Sequence, residues 1–522
     1  MATCTWRGGA PAIQQVQTWT FATNPSINDT ITVTIGNQAW VYTILSGTLA
    51  TALAAFQTAL SALSSTVYPQ FGEITFTNPT GTTIVATNVT AGIPFTVTMA
   101  TSSGTMTING GASSTGTATT ANSGPNDWNT AANWSSSTVP ANSDTVIIDA
   151  LNVQIYWGLS QTAVTLAVLR IVTDRDNKFI LGLPKVNTSN GTPYPEYRAD
   201  HLQIGATSCT IRTKGGRTKI DFGTVQTNCA VVTTGQTIEQ GVPACLLKGT
   251  HASNVLEQIA GDLGGAFFGG ESMVILTHNM NGGTFNGGFG LTQGTIAKNG
   301  GAMILNGTIS TAATFANGTT TIYGSTALPA VTLRGETLNW NSTGILGGTS
   351  APVLSNGSSI DLSGDANAKT FANAPICYDS SFVNDPYKVI AAPVQQVYSF
   401  AFSSTWSIGD IITVTTNGEV WTYTLASATI ATFLAALVTA FNIANRVTYP
   451  QNTKLTAAGT SPNLTFTALI AGTSFTQTVT TNSGTGIIAA ASVTTANSVG
   501  MKIVYSETGP TNFGTGITLQ RS

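Results

Sequence analysis

"AMILNGTISTAATFANGTTTIYG", residues 302–324, is built of short runs in which apolar side chains alternate with Thr, Ser or Ala between corners marked by Gly or Asn-Gly. Pieces of the same kind, among them "GTFNGG" and "AVTLRGETLNW", fill the chain from Gly282 to Asp365. Short strands that turn every few residues, with Gly and Asn at the corners, suit a β-solenoid whose successive rungs stack. The spacing is irregular, so no strict period is expected. A β-sandwich is the alternative for this centre, if the strands pair antiparallel through their Asn-Gly turns.

Composition agrees with a mainly β protein. Charged residues make up 8% of the 522 residues against about 25% in ordinary globular domains. Hydrophobic residues are 42% and the net charge is −3, which excludes disorder driven by low hydrophobicity and high charge. With no Lys/Arg stripe to meet phosphates, nucleic acid is not an expected partner. The opening "MATCTWRGGAP" lacks the apolar run of a secretory signal, and Thr48 to Val67 is too interrupted by polar residues to span a membrane. A protein made in a cytoplasm is expected, with no membrane contact. Cys4, Cys209, Cys229, Cys245 and Cys377 are scattered, odd in number and without a CxxC pair, so they read as buried free thiols rather than disulfides or a zinc site.

One segment occurs twice. Ile13 to Gln70 aligns with Val394 to Gln451 at a constant offset of 381 without a gap, and 26 of 58 positions are identical. The match resumes at "AGIPFTVT" and "AGTSFTQT", then at "TATTANS" and "SVTTANS". Alternation at Ile31, Val33 and Ile35 and again at Trp40, Tyr42 and Ile44, around a Gly-Asn turn, predicts a β-hairpin. Leu49, Leu53, Phe56, Leu60 and Leu63 recur at helical spacing behind Thr48, which is placed to cap the helix. Strands are expected near Ile74 to Thr77, Thr83 to Thr87 and Phe95 to Met99. Each copy then reads as a small α+β module, one helix covering one antiparallel sheet. The Trp40/Tyr42 pair has the chemistry of a sugar-stacking platform, but its place on the same strand face as Ile44 makes core packing the expected role.

The pattern "TWRGG" at Thr5, followed by "DWNTAANWS" at Asp127, Pro140 and "SDTVIID", resembles a module of β-helical surface proteins of tailed bacteriophages and of related secreted planctomycete-type proteins. There a Trp-x-Gly strand leads closely into the "W…NWS…P…D-x-V-x-I" segment that opens the helix; here the first repeat copy separates the two. The resemblance implies a leading strand at residues 1–11 that packs with the centre, an inserted module at 12–124, a β-helical domain at 125–390, the second module at 391–500 and a tail at 501–522. It also implies a virion component, most simply a capsid decoration or cement protein. Its expected partners are the major capsid protein or another virion protein and, in a homotrimer, copies of itself. A tail or head fibre binding a host glycan, or a bacterial surface adhesin, are the alternatives. Two modules would then offer two similar docking faces.

No catalytic, cofactor or metal site is expected. Cleavage of a polysaccharide needs two carboxylates about 5 to 10 Å apart, and the only local acidic cluster is Asp174, Asp176, Glu196 and Asp200, with Glu336 further on. His201, His251 and His278 show no metal-ligand spacing, and "GDLGGAFFGGE" lacks the spacing of a phosphate loop and reads as a tight corner packing Phe267 and Phe268. The charges between Arg170 and Asp262 are expected on solvated loop edges and at subunit contacts.

Overall fold

The computed structural model describes residues 1–173, 175, 178–188, 193–364, 369–384, 394–443, 449–470, 473–496, 502–505 and 518–521. The protein is mainly β, with a central parallel β-solenoid of about 11 turns and two α-helices among the described residues. Because the rungs pair in parallel, the sandwich alternative is excluded. The chain forms two compact units, residues 1–318 and 319–522.

In the first unit, parallel pairing places equivalent residues of successive rungs directly above one another, about 4.8 Å apart. One inward column runs Cys4, Val146, Leu169, Cys209, Cys229, Leu256, His278, Ile296, Ala313. Two residues further along each rung, a second column runs Ile148, Ile171, Ile211, Val231, Gln258, Met280, Lys298, Phe315. Every member of both is buried. A second face contributes Cys245, Leu263, Phe285 and Met303. Four of the five cysteines thus occupy core columns here, and all five thiols are free and buried. Burial raises those of Cys245 and Cys377, the latter to about 12. In the second unit the columns Leu333–Leu354–Cys377 and Leu338–Ile360–Val383 continue the scheme. The tail strand Lys502–Tyr505 pairs parallel with Ile376–Cys377, so the tail returns to the solenoid.

The leading strand Thr3–Thr5 pairs parallel with Thr145–Ile148. The first module therefore interrupts the chain between two hydrogen-bonded strands of one sheet, and its entry and exit are joined by the Ile13–Ser123 bridge. Tryptophans from both sides of the interruption clasp there: Trp6 meets Trp134 edge-on at 4.9 Å and Trp128 meets Trp134 at 4.7 Å. All three are buried, and such an aromatic cluster adds to its area burial through edge-to-face contacts.

The first module contains two small antiparallel sheets, not one. Thr117–Thr120, Val16–Ala22, Thr83–Asn88 and Ile74–Thr77 form the first, with Thr107–Ile108 also paired to Val16–Ala22, and Gln38–Thr43, Thr30–Ile35, Val97–Thr101 and Ser113–Ser114 form the second. The split arises because Val97–Thr101 pairs with the hairpin strand rather than with Thr83–Asn88. Helix Leu49–Ser61 buries Leu53, Phe56 and Leu60 in the shared core. Thr48 stands at its N-cap but makes no cap bond; Asn24 Oδ1 accepts the Leu49 N–H instead, at 3.0 Å. Trp40 and Tyr42 pack into this core, Trp40 stacked on Phe56 at 5.9 Å.

In the second module Val397–Ser403, Ile411–Thr416, Glu419–Thr424 and helix Ile430–Asn442 each match a first-module range shifted by 381. Core volume has moved along the helix: Ala52, Phe56 and Leu60 correspond to Phe433, Leu437 and Phe441. Trp421 accordingly meets Phe441, edge-on at 5.3 Å. Bulk gained at one turn and lost at the next preserves the packing.

His278 is one of three polar members of the inward columns, with Gln258 and Lys298. It is fully buried, edge-on to Phe285 at 4.5 Å, with Gln293 Nε2 2.8 Å from its Nδ1. Burial depresses its pKa to about 3. The unfolded chain therefore takes up this proton first, and stability falls as pH drops from about 6.5 toward 3. His278→Leu should flatten the pH dependence of unfolding by on the order of 3 kcal/mol between pH 7 and 4. Denaturant unfolding of both proteins across that range checks this; parallel curves would refute it.

Candidate functional site

The first module rests on the trunk through one buried carboxylate. Glu73 ends the 3-10 turn Pro69–Glu73 and is 7% exposed. It accepts hydrogen bonds from Tyr194 Oη, from Tyr197 Oη at 3.2 Å, from Arg198 Nη2 at 3.3 Å and from Asn187 Nδ2 at 3.3 Å. These four donors come from the short hairpin Val186–Asn187 with Tyr194–Pro195 and from the segment leading into the solenoid strand Leu202–Thr213. A buried carboxylate is costly unless so satisfied.

Arg198 organises the seam. Its Nε and Nη2 donate to Glu196 at 2.7 and 3.2 Å, and Nη1 donates to Pro94 O of the module at 3.0 Å. Its guanidinium lies 4.7 Å from the Trp157 ring centroid and 4.6 Å from that of Tyr197, the stacked arrangement that arginine favours. Burial works against the Arg198 charge, but Glu196 and Glu73 hold it well above its ordinary value. Burial also raises the Tyr197 hydroxyl, so it remains a donor to Glu73. Gly36, at φ +57°, faces the Tyr197 ring so closely that a Cβ would fall on it.

A cleft of about 880 Å³ opens beside this seam, lined by Phe95 of the module and by Asp127, Tyr156, Trp157, Arg198 and Asp200. A smaller cavity of about 290 Å³ shares Tyr156, Trp157 and Arg198. Burial raises the Asp127 carboxyl, partly offset by the Asn129 N–H at 2.9 Å and the Asn122 amide at 2.5 Å. Burial likewise acts to raise Asp200, but His201 and Lys185 outweigh it and hold the carboxyl below its usual range. Both oxygens of each carboxylate are thus already engaged, and the cleft offers aromatic surface and amide groups.

Of the acidic cluster expected from sequence, Asp174 and Asp176 lie outside the described residues. Glu196 is committed to Arg198, and Asp200 to Lys185 and His201. Glu336, in the second unit, is 1% exposed and accepts from Thr320 at 2.9 Å. His251 accepts the Ser253 N–H within its own turn, and His278 lies in the core. Phe267 and Phe268 pack edge-on at 5.2 Å, Ala266 turning the corner at φ +46° after strand Asp262–Gly265.

Of the charges between Arg170 and Asp262, Arg170, Arg175, Lys178, Arg212, Lys214 and Glu257 are exposed, as expected, whereas others pair within the chain. Arg217 bonds Glu239, Lys248 lies 3.6 Å from Asp221, and the fully buried Lys219 donates to Leu183 O at 2.7 Å. Burial lowers the Lys219 pKa. Parallel stacking brings these residues together from separate rungs, as Asp221 beside Lys248 shows.

Among the described residues, one group of side chains could hold a metal. Asp200, His201 and Glu271 each bring a donor atom within 4.8 Å of the other two. Sequence spacing hid this, because Glu271 reaches the site only through the stacking of rungs.

No protein-family model matches the chain, and no curated protein is significantly similar to it.

The second module does not repeat the seat. The position of Glu73 holds Lys454, whose Nζ donates to Gln451 within its own module at 3.0 Å. The backbone carbonyls of the two residues play the same part, accepting from Val89 and Leu469 respectively. Asn417, Thr473 and Ser474 stand where the first module has Gly36, Ile93 and Pro94, and like Lys454 they are exposed. The matching faces of the two modules thus differ by a charge reversal at the central residue. Glu73→Ala should destabilise the first unit by about 3 kcal/mol or more, since Arg198 and two tyrosine hydroxyls lose a buried partner. Lys454→Ala should change stability by less than about 0.5 kcal/mol. Denaturant unfolding with hydrogen exchange read over residues 184–200 distinguishes the two.

Proposed function

We propose that the chain is a non-enzymatic structural protein of a tailed-phage virion, a decoration protein on the outer capsid surface. The observation that carries this reading is the asymmetry of the modules. One is anchored to the trunk by Glu73 and Arg198, whereas the matching face of the other stays exposed, with Lys454, Leu469 and Ile470 available for a contact. The solenoid serves as the rigid trunk, and the second module meets the major capsid protein or another virion protein.

Self-association into a trimer fits the outer column Ser208, Asn228, Val255, Thr277, Thr295, Ala312, which carries no charge. Uncharged strand surface of this kind is normally covered. A second reading, a fibre or spike that binds a neutral host glycan, draws on the cleft beside Tyr156 and Trp157, since aromatic faces with amide groups suit sugar rings.

Copy number in purified particles, measured against the major capsid protein, tests the reading. Copies comparable in number to capsid subunits support decoration; a few per particle favour a fibre, and absence removes the virion reading. Deleting residues 391–500 should abolish attachment to the particle while the first unit keeps its unfolding transition.

A further inference from the structure

Three buried acceptor atoms converge next to the segment that seats the first module. His201 is 1% exposed, and its Nδ1 lies 2.9 Å from Asp200 Oδ1. With Nδ1–H donating to that carboxylate, the Nε2 lone pair points the other way. Nε2 has no hydrogen-bond partner among the described residues and faces Glu271 Oε1 at 4.0 Å. Burial keeps the ring neutral by lowering its pKa. Asp200 Oδ2 and Glu271 Oε1 face the same space, where the Lys185 ammonium reaches both.

The geometry points to a divalent transition-metal site formed by Asp200, His201 and Glu271, with Lys185 as the cation that stands in when no metal is bound. Lys185 Nζ lies 2.9 Å from Asp200 Oδ2 and 3.1 Å from Glu271 Oε1. Its side chain is 41% exposed, so the flexible stem can swing into solvent and open a path for an ion. One imidazole and two carboxylates suit Zn²⁺ and its neighbours Mn²⁺, Co²⁺ and Ni²⁺, whereas Mg²⁺ and Ca²⁺ prefer oxygen ligands alone. Two carboxylates and one dication are neutral together; with Lys185 alone one negative charge remains, and Lys248 Nζ, 4.0 Å from Glu271 Oε1, is the nearest further cation.

Such an ion would act on the seat of the first module. His201 closes the segment that carries Tyr197 and Arg198, and Glu271 precedes the solenoid strand Met273–Met280. Metal bound between them would tie that segment to the trunk. This inference stands independently of the virion reading.

The test is calorimetric titration of ZnCl₂ into the tag-free full-length chain, with Co²⁺ as a spectroscopic probe. One ion per chain is expected, with a visible Co²⁺ absorption band of nitrogen and oxygen ligation and slower hydrogen exchange over residues 185–200. Lys185→Ala should tighten zinc binding about tenfold by removing the competing cation. Glu271→Gln, nearly isosteric, should abolish binding, as should His201→Ala if that variant folds. Failure of both the wild type and Lys185→Ala to take up zinc overturns the site. Uptake unchanged in Glu271→Gln overturns it equally, and weaker binding by Lys185→Ala overturns the role given to the lysine.

Discussion

Parallel register is the constraint from which the rest of the structure follows. Once a rung lies in register on its neighbour, every inward residue is stacked on the inward residue below, and the core becomes a set of columns rather than a scatter of contacts. The column from Cys4 to Ala313 mixes thiols, aliphatics and one imidazole. Each member must fit only the residues above and below it. That tolerance explains how a chain without a strict period still builds regular rungs, and why cysteine is used as a small apolar residue rather than as a ligand or crosslink.

The same register brings together residues that the linear sequence keeps apart. Asp221 and Lys248 become neighbours, as do Asp200, His201 and Glu271. In a protein with so few charged residues, grouping them on one stretch of the trunk concentrates electrostatic contacts around the segment that receives the first module. Arg198 joins these systems, since its guanidinium meets Glu196, the Glu73 carboxylate and two aromatic rings at once.

Much of the architecture was legible in the sequence. Alternation and Asn-Gly corners indicate the solenoid, and the ungapped match of Ile13 to Gln70 with Val394 to Gln451 indicates two modules of like build. The tryptophans that clasp around the insertion were legible as motifs. What stayed hidden depends on pairing over distance. Glu73 finds Arg198 125 positions away, and nothing local marks either as a seat. Thr48 stands at the N-cap without a side-chain bond, and the first helical N–H is satisfied by Asn24 from another turn, which no local motif marks. Nothing local marks Lys298 for the interior, yet the pleat turns it inward with His278. The candidate metal group escaped for the same reason as the ion pairs: its members share a place in space, not a spacing.

The Ile13–Ser123 bridge makes the first module a cassette. Its two ends leave the trunk side by side, and the strands on either side of the interruption remain paired whatever lies between them. A unit inserted at this junction needs adjacent termini and, in addition, partners for Arg198 and the tyrosine hydroxyls that Glu73 now satisfies. The trunk thus has one socket, and Arg198 sets the chemistry of what can occupy it.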